Sequence, residues 1–240
     1  MIRVTIWNGF LHEVSEEMVK AVYPEGMHET LKKQLACEDF EIKTAWLEKD
    51  AEHGLSEEVL NNTDVLLWWG HGAHEAVADS VVSRVVERVN NGMGFIPLHS
   101  AHYSKPFRRL MGTHCNLHWR DMGGERAHVW TVAPSHPITQ GVPLQFELSA
   151  EEVYGEYFTI PKPDDLIFVT WFKGGNIFRG GCTFTRGAGK IFYFHPGHET
   201  YPSYYNPNVI KVIKNAIYWA APGEKKDFKG GSYELAIEGL

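Results

Sequence analysis

Cysteine is scarce: Cys37, Cys115 and Cys182 are scattered through 240 residues with no CxxC spacing. An odd number so far apart argues against a disulfide framework and against a thiolate zinc finger. Long apolar runs are missing too, since no stretch approaches the roughly 20 residues that a membrane span needs. The N-terminus enters a strand pattern at once, without the layout of a signal peptide, so a cytoplasmic protein with no membrane partner is expected. Positive charge is nowhere concentrated. The formal net charge is -7 with acidic and basic residues interspersed, and no basic stripe is present to hold a nucleic-acid backbone. Neither GxGxxG after the first apolar segment nor GxxxxGK[ST] occurs, so no nucleotide cofactor is expected. Arg179 and Arg186 sit among glycines in KGGNIFRGGCTFTRGAGK, which reads as a hairpin.

What the chain does have is enough apolar residues, 43%, for a sizeable core. Residues 3–9, 64–70, 94–100 and 190–196 read as strands whose near-continuous apolar character suits a parallel sheet covered on both faces. Residues 80–91 repeat valine at helical spacing, and residues 206–221 place apolar side chains on one broad face behind Pro207. Residues 26–37 form a weaker helix pattern, followed by a strand pattern over 41–47. Strands alternating with helices imply right-handed crossovers and an α/β sandwich of the flavodoxin or Rossmann type. Further strands at 127–133, 166–172 and 176–185 either extend the sheet or form an antiparallel flap. Residues 1–221 are expected to be one domain and 222–240 a tail.

Histidine is plentiful, with 13 residues, and its positions are not random. Each of the four apolar strands is followed by histidine: Asn8 and His12 after the first, His71 and His74 after the second, His99 and His102 after the third. The fourth runs into His195, His198 and Glu199. Ligands of open α/β sheets bind beyond the carboxyl ends of the strands, so these groups should converge on one edge. A single histidine after a strand is ordinarily a hydrogen-bonded loop residue. By that measure His195 could be a core residue, His12 solvated, and His74 the start of a helix. Four repeats at equivalent places favour a shared site. LSAEEVYGEYF adds Glu151, Glu152, Tyr154, Glu156 and Tyr157, either as an exposed acidic helical turn or as part of that site.

The motifs WNGF, WWGHGAH, PLHSAHYSKPFRRLMG, HPITQGV, EEVYGEYF, GGNIFRGG and RGAGKIFYFHPGHETYP occur in this order over nearly all of residues 1–221. Together they resemble the ThuA-like family of trehalose utilisation proteins. That resemblance implies a flavodoxin-like core similar to class I glutamine amidotransferases. It also implies a role in the breakdown of trehalose or related disaccharides, on an oxidised (keto) sugar made by a partner dehydrogenase. The amidotransferase nucleophile is a cysteine at a strand-to-helix elbow with a downstream His–Glu pair. Here the elbow would be His99, Ser100 and Ala101, which excludes a thiolate there, while His198 and Glu199 stand where the pair is expected. Ser100 is a nucleophile only with a base such as His198 in reach.

The expected protein is therefore an enzyme acting on a (keto-)disaccharide by His and Glu acid–base chemistry, or a non-catalytic sugar-binding or regulatory protein on the same scaffold. His99, Ser100, His198 and Glu199 are the candidate catalytic residues, and Asn8, His12, Tyr103, Tyr154 and Glu156 the candidate sugar-binding ones. Trp7, Trp68, Trp69, Tyr201 and Tyr204 could offer further stacking faces, although Trp68 or Trp69 should be buried. A zinc or other divalent metal is expected on His71, His102, Glu152 and His198, with His12 in reserve. The competing metal-free site exchanges protons through His99 and His198, with Glu199 orienting His198. Apolar residues Phe228, Tyr233, Leu235, Ile237 and Leu240 suggest a homo-oligomer built through the tail.

Overall fold

The computed structural model describes residues 1–223. Its elements are β1 (Ile2–Asn8), α1 (His12–Ser15), α2 (Glu17–Val22), α3 (Met27–Leu35), β2 (Phe40–Trp46), α4 (Glu57–Asn61), β3 (Val65–Trp69), α5 (Asp79–Asn90) and β4 (Gly94–Leu98). They continue with α6 (Lys105–Met111), β5 (His118–Thr131), β6 (Gln145–Gly155), β7 (Asp165–Phe172), β8 (Ile177–Arg186), β9 (Gly189–Phe194) and α7 (Pro207–Ala220).

All nine strands join one sheet in the order β2-β1-β3-β4-β9-β8-β7-β5-β6. From β2 to β9 every pairing is parallel, which is the 2-1-3-4-5 order of a flavodoxin-like sheet with β9 in the fifth place. From β9 to β6 every pairing is antiparallel. The chain leaves the parallel half after α6, builds four strands, and returns through a β8–β9 hairpin to complete it. The later strands thus extend the sheet.

Apolar periodicity locates the covering helices. α5 buries Val81, Val82, Val85 and Val89, and α7 buries Val209, Val212, Ile213, Ala216, Ile217 and Ala220. Trp68 and Trp69 are both in the core, Trp7 stacks on Trp68 at 3.9 Å, and Tyr204 is fully buried, so none of these four offers a face to a ligand. Gly189 lets β9 begin against α5, because a β-carbon there would stand 2.0 Å from the Val89 carbonyl oxygen.

Two readings change. LSAEEVYGEYF is no helical turn: its first part is the end of β6, with Glu151 and Glu152 buried. β5 starts at His118, nine residues before the apolar pattern, because its first half is polar and partly exposed. β6 is the last strand in the sheet, yet Glu151 accepts from the backbone N–H groups of Gly197 (2.8 Å) and His198 (3.1 Å), just beyond β9. The antiparallel half therefore curls back over the carboxyl end of the parallel half. The apolar tail residues from Phe228 to Leu240 lie outside the described residues.

Candidate active site

The loops after β3, β4 and β9, together with β5 and β6, enclose a cavity of about 590 Å³. His71, His74, Ser100, His102, Tyr103, Glu152, Tyr154 and His198 line it, joined by Asn116, Trp119 and Asp121, which the sequence reading did not single out.

β4 is followed directly by His99, whose φ of 51° lies in the left-handed region that a non-glycine residue rarely adopts. This turn holds the imidazole wholly inside, behind the cavity wall. Its Nδ1–H donates to the His195 carbonyl at 2.9 Å, and its Nε2 lies 3.0 Å from Glu152 Oε2. Tyr154 stacks on the ring at 4.8 Å. Burial, the largest influence, disfavours the charged ring, but the Glu152 hydrogen bond and the Glu152 and Glu151 charges outweigh it and raise the His99 pKa. The neighbouring Ser100 hydroxyl donates to the Gly70 carbonyl at 2.8 Å.

Three more histidines have their roles fixed by what they touch. His102 must donate Nδ1–H to the Cys115 carbonyl (2.7 Å), and burial pushes its pKa down to about 3, so the ring is neutral with a bare Nε2. His198 Nδ1 accepts from the Thr200 N–H at 3.2 Å, which leaves the proton of the neutral ring on Nε2; burial, then the His99 charge, lowers its pKa to about 4. His195 donates Nε2–H to the Glu152 carbonyl at 3.2 Å, and its ring is enclosed by Phe172 and Phe178. It is a core residue, and burial holds its pKa well below the usual range.

Glu199 does not orient His198 through Nδ1, since that atom belongs to Thr200; the nearest approach is 3.7 Å, between Oε2 and His198 Nε2. Glu199 Oε1 instead meets two imidazoles, His12 Nδ1 at 2.6 Å and His71 Nδ1 at 2.7 Å. Burial would raise the Glu199 pKa, but these two hydrogen bonds and the charges of His71 and His198 hold it below the usual carboxylate range. The Glu199 hydrogen bond correspondingly raises the pKa of His12.

Two of the other expected residues, Asn8 and Glu156, stand apart from the cavity. Asn8 is buried with its amide on Glu13 (2.7 Å) and beside His28, outside the cavity lining. Glu156 is engaged by Arg179, with Nε and one terminal nitrogen each at 2.9 Å, and does not line the cavity either. Tyr157 is 80% exposed, and Tyr201 donates its hydroxyl to Asp121 at 2.6 Å. Tyr103 lies under the Arg108 guanidinium, 4.4 Å from the ring centre. Burial lowers the His74 pKa to about 4.

The four expected metal ligands divide. Glu152 and His198 group with His99, while His71 groups with His12 and Glu199; in each trio the donor atoms lie within 4.8 Å of one another. His102 belongs to neither.

A family model described as ThuA, trehalose utilisation, matches residues 3–220. The chain belongs to that family. Among curated proteins, none matches it. Among solved structures, a ThuA-like protein from Bacteroides uniformis is similar at 15% identity and a TM-score of 0.65, over 91% of this chain and 90% of that one. A ThuA-like protein from Parabacteroides merdae is similar at 15% identity and a TM-score of 0.62, over 91% and 89%. PurLQS from Thermotoga maritima is similar at 10% identity and a TM-score of 0.52, over 91% and 98%, which gives the amidotransferase-like fold. In this ThuA family member His99, the first residue of the His99-Ser100-Ala101 turn, has the left-handed backbone, and the three cysteines lie elsewhere. No helix among the described residues is long and apolar enough to cross a membrane.

Proposed function

We propose that this ThuA family member is a cytoplasmic enzyme of disaccharide utilisation that transfers protons on an oxidised (keto) sugar. The observation that carries the reading is the pairing of opposite hydrogen-bonding roles across one cavity. Glu152 is a carboxylate backed by His99 at 3.0 Å, and His198, its Nδ1 occupied by Thr200, presents an N–H. A carboxylate base beside a neutral imidazole donor suits proton removal next to a carbonyl group.

Glu152 takes the proton from the carbon beside the carbonyl, and the C–H electron pair moves into an enediolate. The developing negative charge on the carbonyl oxygen is met by the His198 N–H. His102, with Nε2 bare, accepts from a sugar hydroxyl and helps to orient the ring. His99 acts behind Glu152 as a positioning residue and does not touch the sugar. Ser100 has no base on its hydroxyl and spends its proton on a backbone carbonyl, so it takes no nucleophilic role. A cavity of about 590 Å³ is within the range that encloses small ligands.

The test is incubation with trehalose, 3-keto-trehalose and related disaccharides in heavy water, with product analysis and measurement of deuterium uptake. Turnover is expected to fall by about 10²-fold or more in Glu152→Gln, as for loss of a general base, and to persist in Ser100→Ala. Saturable binding of these sugars with no turnover of any would establish a binding protein instead, the reading favoured by the absence of a cysteine at the elbow.

A further inference from the structure

Glu199 is a buried carboxylate with an unfinished set of partners. Its side chain is 4% exposed, Oε1 already meets two imidazoles, and Oε2 has no hydrogen-bond partner among the described residues. An anionic oxygen shut away from water without a partner is costly and marks a place for a positive group. The two imidazoles approach it from different directions, their rings 5.4 Å apart and inclined at 84°. We propose that His12, His71 and Glu199 form a divalent-cation site, with zinc the ion that best suits the donors.

Two imidazoles and one carboxylate are a donor set used by catalytic zinc, which keeps a further position open. Bonds of roughly 2.0–2.2 Å to a tetrahedral ion set its donors roughly 3.3–3.5 Å apart. The present separations of 2.6 and 2.7 Å need to open by less than about 1 Å. His12 and His71, with side chains 26% and 34% exposed, have room to make that rotation. The ion replaces the hydrogens between each Nδ1 and the Glu199 carboxylate, binding Oε1 and turning to the partnerless Oε2 of the same group, and each neutral ring then carries its proton on Nε2. His71 also lines the cavity, so the site borders the space assigned to the sugar.

The other trio is a poorer host. His99 is wholly enclosed with both nitrogens engaged, and Glu152 has no orphaned buried oxygen. His198 carries its proton on Nε2 while Thr200 occupies Nδ1.

The cation site stands independently of the proton-transfer reading, because binding is measured without turnover. The full chain, stripped with chelator, is titrated with zinc by calorimetry and assayed by elemental analysis, and cobalt(II) is added to read tetrahedral coordination from its visible absorption. One equivalent is expected, with affinity falling at least roughly tenfold in His71→Ala, His12→Ala and Glu199→Gln and unchanged in Glu152→Gln. If Glu199→Gln fails to fold, the two more exposed histidine variants decide. No saturable uptake, or uptake undiminished in the histidine variants, overturns the site. A chain that turns over keto sugar yet takes up no zinc overturns the cation site alone. Zinc uptake that follows His71 in a chain without turnover upholds the site and overturns proton transfer.

Discussion

His102 illustrates how one contact sets a residue's chemistry. Its Nδ1–H is committed to the Cys115 carbonyl, and burial takes its pKa from the ordinary 6.5 down to about 3. Below pH 6.5 the unfolded chain binds a proton there that the folded chain refuses. Stability is therefore full above that pH and is lost as pH falls toward 3. The loss is about 1.4 kcal/mol per pH unit, or about 2 kcal/mol at roughly pH 5. His102→Asn keeps a donor for the carbonyl and removes the titration, so its urea-unfolding free energy should fall less between pH 7 and pH 5. Superimposed curves for the two proteins would refute the assignment. The sequence reading found His102 by its place after a strand, but not its tautomer. That depends on the Cys115 carbonyl, which nothing in the local pattern marks as a partner of His102.

At the scale of elements, α7 is the segment most fully legible in the sequence. Asn206 precedes Pro207, and apolar residues recur on one face; Asn206 Oδ1 accepts from the N–H groups of Asn208 (2.9 Å) and Val209 (3.4 Å). Asn206→Ala removes that cap and should lower stability by about 1 kcal/mol, read as a lower midpoint in thermal or denaturant melts. An unchanged midpoint would mean that packing of the apolar face alone holds the helix. α1, α2, α4 and α6 went unread for a physical reason: at four to seven residues each is too short to establish a period. The end of β6 is more instructive, since its sequence fits both an exposed acidic turn and part of the site. Glu151 and Glu152 look like exposed residues because charge is ordinarily solvated. Here the N–H groups of Gly197 and His198 and the ring of His99 let them be buried.

Over the whole molecule, the site forms where the two halves of the sheet meet. The parallel half brings the histidine loops together, as strand-end reasoning anticipates, but Glu152 arrives from the far edge of the antiparallel half. Glu151 fastens that edge down. Its Oε1 accepts from the N–H groups of Glu152 (3.0 Å) and His198 (3.1 Å), and its Oε2 from the Gly197 N–H (2.8 Å) and the Ser203 hydroxyl (2.6 Å). Burial raises the Glu151 pKa, opposed by the charge of His99 and by these donors, so the ionised group is held at an electrostatic cost. Neutralising it does not help, because glutamine puts an amide NH₂ against groups that all donate. Glu151→Gln should thus lose about 3 kcal/mol, and hydrogen exchange should quicken across residues 195–200, which no longer share an anchor with β6. Glu152→Gln leaves the Glu151 anchor in place and serves as the comparison. Equal exchange in the Glu151→Gln and unsubstituted proteins would show that the pairing of β5 with β6 holds the curl without the carboxylate.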